Sequence, residues 1–168
     1  MGGGKMIGNF YFKEDFMRKL VLIFIIFLLS NSILFATDNK NKEIQCKNRN
    51  ADACFSLAMF YNSSNKNKEK YFLEKSCKLG HIGGCFLTGR LYLATSKNNE
   101  QNLNKAKKYF EIVCNKGFGD GCVGLGVIYE KLGRLYEMNK YLKKGCSMQL
   151  RENMSINTCK KFYSLNNK

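Results

Sequence analysis

Cysteine has the most regular spacing of any residue type in this chain. The eight cysteines form successive pairs, three with seven residues between them and one with twelve. Metal sites favour close Cys-x2-Cys spacing, and redox catalysts favour a Cys-x-x-Cys motif with a lowered thiol pKa, so neither chemistry fits this pattern. Regular pairs with no cysteine left over instead predict disulfides that staple a fold. The predicted bridges are Cys46–Cys54, Cys77–Cys85, Cys114–Cys122 and Cys146–Cys159.

Two other places in the sequence are candidates for catalysis or metal binding. Ser63 and Lys66 form a Ser-x-x-Lys motif, which supplies a nucleophile and its base in some hydrolases. The motif falls in a predicted loop between helices, without the accompanying Ser-Asp-Asn or Lys-Thr-Gly motifs. His81, the only histidine, lies between Cys77 and Cys85, and we expect it to be a solvent-facing turn residue. The sequence therefore nominates no catalytic residue, no metal ligand and no cofactor site.

An apparent export signal precedes the cysteines. A short basic segment at 17–19 is followed by the apolar run Leu20–Leu29, by the polar residues 30–32 and by a small-residue end at Ala36. A membrane helix needs about 20 apolar residues, so cleavage after Ala36 is favoured over an uncleaved anchor. After cleavage we expect no stable membrane insertion.

These features divide the chain into three parts. Residues 1–16 are an upstream extension without a structural role, 17–36 are the signal peptide, and 37–168 are the mature repeat domain. We expect a secreted or periplasmic monomer.

The charge balance of the chain is strongly basic. Cleavage would change the net charge from +15 to +13, because it removes four basic and two acidic residues: Lys5, Lys13, Arg18, Lys19, Glu14 and Asp15. Such a charge attracts acidic proteins, membrane surfaces or cell-wall polymers, and export argues against nucleic acid. The alternative is that lysines on solvated helix faces only keep a small protein soluble.

Alignment on the cysteine pairs reveals a repeat of 31 to 37 residues. A small residue stands four positions after the second cysteine and a tyrosine stands seven positions after it, so both share one helical face. We predict a first helix in each repeat at about 51–62, 82–95 and 119–132. The small residues are Ala58, Gly89 and Gly126, and the tyrosines are Tyr61, Tyr92 and Tyr129.

A second, amphipathic helix precedes each cysteine pair after the first. An aromatic residue stands five positions before the cysteine, and lysines fill much of the remaining surface. These aromatic residues are Phe72, Tyr109 and Tyr141. Together with the three tyrosines they either line a groove or fill the core between repeats, and the core is the favoured position.

The disulfides are predicted at the turn from a second helix to the next first helix. Gly80 and Gly117 stand three residues after the cysteine, where a left-handed helix cap is expected, whereas Arg49 takes this place in the first turn. A closed loop of about nine residues stabilises a fold by about 2.6 kcal/mol, so four bridges give about 10 kcal/mol. That equals the stability of an ordinary domain. The last turn is lengthened by 149–153, and a helix near 155–164 caps the array.

Two segments resemble a known repeat consensus. Leu125-Gly126-x-x-Tyr129 and Lys105-Ala106-x-x-Tyr109 are similar to the two helices of Sel1-like repeats, relatives of the tetratricopeptide repeats. A disulfide in each repeat and an export signal narrow the resemblance to the Helicobacter cysteine-rich proteins, over residues 40–165. The resemblance implies an all-α solenoid of about three to four helix pairs, a right-handed superhelix with a concave groove, and one disulfide per repeat.

The resemblance also implies an activity. Proteins of this family are described as penicillin-binding proteins with weak β-lactamase activity, which would make β-lactams or peptidoglycan fragments the ligands. No residue of this sequence can be nominated for hydrolysing the β-lactam amide. The alternative is a non-catalytic periplasmic or secreted scaffold whose basic groove binds an acidic peptide, a partner protein or a peptidoglycan fragment.

Overall fold

The structure, a computed structural model, describes residues 7–97, 99–148, 150 and 153–166, except for the side chains of 7–15, 30–36, 154, 165 and 166. Regular structure within these residues is entirely helical. The helices are α1 (Ile7–Lys47), α2 (Ala51–Tyr61), α3 (Lys66–Lys78), α4 (Ile82–Ala94), α5 (Glu100–Asn115), α6 (Gly119–Lys131), α7 (Leu135–Cys146) and α8 (Asn153–Asn166). Of the predicted turn extension at 149–153, three residues lie outside the described part of the chain.

The chain forms two compact units, residues 1–41 and 42–168. The first unit is helical from Ile7, and every residue of Leu20–Leu29 in it is at least 44% exposed. No helix in the described part of the chain carries an apolar stretch long enough to cross a bilayer. The division at residues 16 and 36 and the cleavage after Ala36 stay predictions.

The second unit is a linear array of helix pairs. From α2 to α7, each helix packs on the next one along the chain, and α8 packs on α6 and α7. Connections of three to five residues join α2 through α7, and such short connections make neighbouring helices antiparallel. The predicted first helices are α2, α4 and α6, with ends within one residue of expectation. The prediction of an all-α helix-pair repeat with one disulfide per repeat is confirmed.

Asparagine side chains begin three of the helices. The Oδ1 atoms of Asn50, Asn65 and Asn99 accept hydrogen bonds, at 2.9 to 3.1 Å, from the backbone N–H three residues later. Each bond satisfies a donor that the first helical turn leaves without a partner.

Left-handed residues end the helices that lead into the disulfide turns. Gly80 and Gly117 have φ of 96° and 85°, as the glycine caps predict. Arg49 holds the corresponding place with φ of 68°, so the first turn keeps the geometry of the others despite its side chain.

The small residues of the first helices allow close packing. A Cβ atom on Gly126 would lie 2.5 Å from the Leu142 side chain, and one on Gly89 would lie 3.0 Å from the Phe110 ring. Phe110 is fully buried at the centre of the largest core cluster. The predicted close approach of a neighbouring helix at these positions is confirmed.

Candidate binding groove

The cysteine side chains are structural in their geometry. Three bridges join residues eight apart in sequence with Cα–Cα distances of 4.5 to 4.7 Å, and Cys146–Cys159 spans 5.5 Å. Each of the three shorter bridges connects the last turn of one helix with the first turn of the next. Seven of the eight cysteines are at least 93% buried, which withholds their sulfur atoms from a soluble redox partner.

His81 begins helix α4. Its Nδ1 atom accepts a hydrogen bond from the Gly84 backbone N–H at 2.9 Å, and its ring stacks on Phe55 at 4.1 Å between centroids. Only 23% of the side chain is exposed, so the expectation of a solvent-facing turn residue is wrong. The imidazole takes the capping role that asparagine has in α2, α3 and α5. Within the described residues, no cluster of histidine, cysteine and carboxylate side chains could hold a metal ion.

The Ser-x-x-Lys motif does not assemble into a catalytic pair. Ser63 lies in the α2–α3 turn, whereas Lys66 begins α3. The Lys66 Nζ atom contacts the Glu69 carboxylate at 2.8 Å and Asn62 Oδ1 at 3.0 Å. The Lys66 ammonium group is therefore engaged by Glu69 and Asn62, whereas a catalytic pair would require it to contact the Ser63 hydroxyl.

The six repeat aromatics form three stacked pairs. Ring centroids lie 5.7 Å apart in Tyr61/Phe72, 5.9 Å in Tyr92/Tyr109 and 5.3 Å in Tyr129/Tyr141, with nearly parallel planes. Every pair joins the end of a first helix to the second helix of the same repeat. Tyr92 and Tyr129 are buried in the core and the other four aromatics pack against core clusters, as the favoured interpretation predicts.

Two of these tyrosines also bind a carboxylate of the preceding helix. The Tyr92 hydroxyl donates to Glu74 Oε1 at 2.5 Å, and the Tyr61 hydroxyl donates to Glu43 Oε1 at 3.4 Å. The corresponding glutamate of the third repeat, Glu111, instead contacts Lys107 at 3.9 Å. A glutamate stands three residues before the first cysteine of each of the first three cysteine pairs. Sequence reasoning missed this periodic signal.

Lysine ammonium groups lie over the tyrosine rings. Lys70 and Lys105 lie 4.8 and 5.3 Å from the Tyr92 centroid, and Lys107 lies 5.4 Å from that of Tyr129. These contacts favour the cation electrostatically and hold a long side chain in place. Lys107 also contacts the Glu111 carboxylate at 3.9 Å.

Burial also prevents chemistry at the central tyrosines. It raises the pKa of Tyr92 to about 12, an effect that the hydrogen bond to Glu74 strengthens. Burial, with the nearby Glu74 charge, raises the pKa of Tyr109 to about 12 as well. Both phenols stay protonated at neutral pH and cannot serve as bases or nucleophiles.

A cavity of about 710 Å³, here called the central groove, is the best candidate for a binding site. Its walls come from α2, α3 and α4, the α4–α5 loop and the end of α6. The apolar residues of its lining are Met59, Leu73, Leu87, Leu91, Leu93 and Ala94, and the polar ones are Asn62, Glu69, Arg90, Ser96, Lys97 and Lys131. This volume is in the range of clefts that bury a small ligand or a short peptide segment.

The charge of the central groove is positive. Its one carboxylate, Glu69, is 7% exposed and is paired with Lys66. Arg90, Lys97 and Lys131 line the same cavity, and the two lysines are exposed and make no ion pair with any residue that the structure describes. The groove therefore combines an apolar lining with uncompensated ammonium groups at its edge.

A smaller cavity of about 370 Å³, here called the side cavity, continues the central groove. The two share Ser96, Lys97 and Lys131 in their linings, so the two lysines lie where the cavities meet. The remaining lining of the side cavity is Asn99, Glu100, Leu103 and Leu132.

Sequence reasoning missed these groove residues, although part of the signal was present. Leu87, Arg90, Leu91 and Ala94 are three, four and seven residues apart, so they share one face of α4. The repeat alignment instead drew attention to other positions of this helix, those of the cysteine, the small residue and the tyrosine. Lys97 and Lys131 come from different repeats, and only the tertiary fold brings them to the same cavity.

The helical fold and its disulfide bridges define a class of protein: an all-helical array of helix pairs, each stapled by a disulfide. Neither a protein-family model nor a curated protein sequence matches the chain. Four closed disulfides, none of whose cysteines is left free, are typical of an oxidising compartment.

Proposed function

We propose that this protein is an exported, non-catalytic Sel1-like binding module whose central groove binds an acidic segment of a partner protein. The observation that carries this proposal is the charge of an apolar groove. Its carboxylate is neutralised by Lys66, whereas Lys97 and Lys131 have no anionic partner among the described residues. Ammonium groups beside an apolar surface favour a ligand that is both anionic and partly apolar.

The stapled repeat suits this role because it holds the groove rigid outside the cytoplasm. Each of the three shorter bridges fixes the end of one helix to the start of the next, and Cys77–Cys85 in this way holds α3 and α4, whose faces line the groove. A rigid site loses little conformational entropy when it binds. The proposal includes three expectations from the sequence: the export signal, the monomeric state and the family resemblance.

Binding can be tested with two pools of capped hexapeptides. One pool has Glu-Glu at its centre and the other Gln-Gln, with all residues represented at the outer positions. We expect the oxidised protein to retain members of the glutamate pool selectively, as measured by mass spectrometry of the eluted peptides. Equal retention of both pools would refute an acidic ligand.

Variants with matched charge separate groove binding from attraction by the net charge. Lys97→Gln/Lys131→Gln removes two groove lysines, whereas Lys78→Gln/Lys116→Gln removes two exposed lysines outside the groove. An exposed ion pair contributes up to about 1 kcal/mol, so the groove variant should bind a retained peptide about tenfold more weakly. The control should bind within about twofold of the wild type. An equal loss in both variants would show that only the net charge matters.

The β-lactamase activity that the resemblance implies has no observation in its favour. Ser63 and Lys66 do not form a catalytic pair, and the buried tyrosines keep their protons. We expect chromogenic cephalosporin turnover by the oxidised protein to equal the background, with Ser63→Ala and a reduced sample as controls. Turnover that Ser63→Ala abolishes would overturn this view.

A further inference from the structure

Exposed apolar side chains lie at the edge of the side cavity and in the chain that follows it. Leu132 lines the side cavity and is 42% exposed, and Leu135 and Tyr136 follow in the next turn at 63% and 78% exposure. None of the three belongs to a core cluster in the described part of the chain. Isolated exposed apolar residues are ordinary, but a group beside a cavity typically marks an interaction surface.

The corresponding turns of the other repeats are polar. The α2–α3 connection is Asn62-Ser-Ser-Asn65, and the α4–α5 connection runs from Thr95 to Asn99 with a serine and a lysine inside it. Packing of the array therefore does not require apolar residues at this turn. The α6–α7 turn differs from its counterparts at the place where it borders the side cavity.

The charges along this surface change in a fixed order. The central groove has an apolar lining, then Lys97 and Lys131 stand at the junction, and Glu100 lines the side cavity beyond them. An acidic group of a ligand is attracted at the junction and repelled by the Glu100 carboxylate further on. A neutral, apolar group is favoured on both sides of the junction.

We infer that the partner segment has acidic residues flanked on both sides by apolar ones. This inference rests on the proposed function and adds the sequence class of its ligand. The first apolar residues fill the central groove, the carboxylates meet Lys97 and Lys131, and the following apolar residues pack on Leu135 and Tyr136 across the side cavity.

Four capped peptides test the order of the residues. The reference is acetyl-Leu-Leu-Glu-Glu-Leu-Tyr-amide, and the others replace the leading Leu-Leu by Ser-Ser, the trailing Leu-Tyr by Ser-Ser, or Glu-Glu by Gln-Gln. We expect each replacement to weaken binding to the oxidised protein about tenfold in calorimetric titration, because each removes one apolar or charged contact.

A pair of surface variants locates the trailing contact. Leu135→Ser/Tyr136→Ser should weaken the reference peptide about tenfold and should no longer distinguish it from the peptide with the trailing Ser-Ser. The control Tyr71→Ser/Ile112→Ser changes side chains that are 57% and 42% exposed and lie outside both cavities, and it should bind like the wild type.

The outcomes separate this inference from the proposed function. If glutamate is required but the flanking residues do not matter, the inference is wrong and the proposed function stands. If no peptide binds, or if the Gln-Gln peptide binds equally well, both are wrong. Co-sedimentation with phosphatidylglycerol vesicles provides a further test. Loss of vesicle binding in Leu135→Ser/Tyr136→Ser, with unchanged peptide binding, would overturn the inference and assign this turn to a lipid surface.

Discussion

Removal of a single bridge tests how far the disulfides stabilise the array. The change is Cys114→Ala/Cys122→Ala, at the junction between α5 and α6 in the middle of the repeats. Alanine is preferred to serine because both cysteines are at least 98% buried, and a hydroxyl there would need a hydrogen-bond partner.

The expected loss follows from the loop and from the packing. The bridge joins residues eight apart and so closes a loop of nine residues. The loss of chain entropy in the unfolded state then stabilises the fold by about 2.6 kcal/mol. Loss of two buried sulfur atoms adds a small cavity, which costs about 1 kcal/mol more. The free energy of unfolding should therefore fall by about 3 to 4 kcal/mol, a large fraction of the stability of a small domain.

Urea denaturation followed by far-ultraviolet circular dichroism measures this loss. Cys146→Ala/Cys159→Ala is the comparison, because its 14-residue loop predicts a similar entropic term of about 3 kcal/mol at the end of the array. A reducing agent should lower the melting temperature of the wild type sharply, since local unfolding on heating exposes the buried sulfur atoms and lets the reductant open all four bridges. If the central variant lost less than about 1 kcal/mol, or if reduced wild type melted within a few degrees of the oxidised protein, helix packing alone would suffice.

Three further predictions concern the turns and the tyrosines. Gly121→Ala should destabilise the fold by more than about 3 kcal/mol, because its Cβ atom would lie 2.5 Å from the backbone of α5. In Gly80→Ala the Cβ atom meets no atom within 4 Å, so this variant should lose only about 1 to 2 kcal/mol, because of its φ of 96°. Arg49→Gly should stabilise the fold by about 1 kcal/mol, because it relieves a φ of 68°, and thermal melting would show a rise of a few degrees. Tyr92 and Tyr109 should ionise near pH 12, which absorbance at 295 nm after a rapid pH jump would measure. Because the pKa of each is higher in the folded than in the unfolded state, the free energy of unfolding should fall between about pH 10 and 12.

Each of these has a result that would contradict it. Equal melting temperatures of Gly121→Ala and Gly80→Ala would mean that the α5–α6 junction can widen without cost. Destabilisation by Arg49→Gly would show that the arginine side chain contributes more than its backbone strain removes. Ionisation of every tyrosine near pH 10 would contradict the burial of the central stacked pair. Glu74→Gln should lower the pKa of Tyr92, because it removes the carboxylate charge beside the hydroxyl.

The sequence predicted the disulfide junctions because each depends on local spacing. A cysteine in the last turn of one helix and another eight residues on, after a left-handed glycine such as Gly80, meet across a three-residue connection. The same local reasoning identified the repeat aromatics, since Tyr92 and Tyr109 stand at fixed helical positions, but their stacking in pairs is seen only in the structure. His81 was misjudged because a glycine-rich turn suggests exposure, whereas a capping hydrogen bond and a neighbouring ring bury most of the imidazole.

The sequence by itself determined the repeat, its helices and the place of every staple, because these follow from helical periodicity and short loops. Only the tertiary structure decided which surface can bind. Lys97 and Lys131 are 34 residues apart and belong to different repeats, yet they line the same two cavities. Their proximity depends on how one helix pair stacks on the next, and no periodicity along a single helix encodes that stacking.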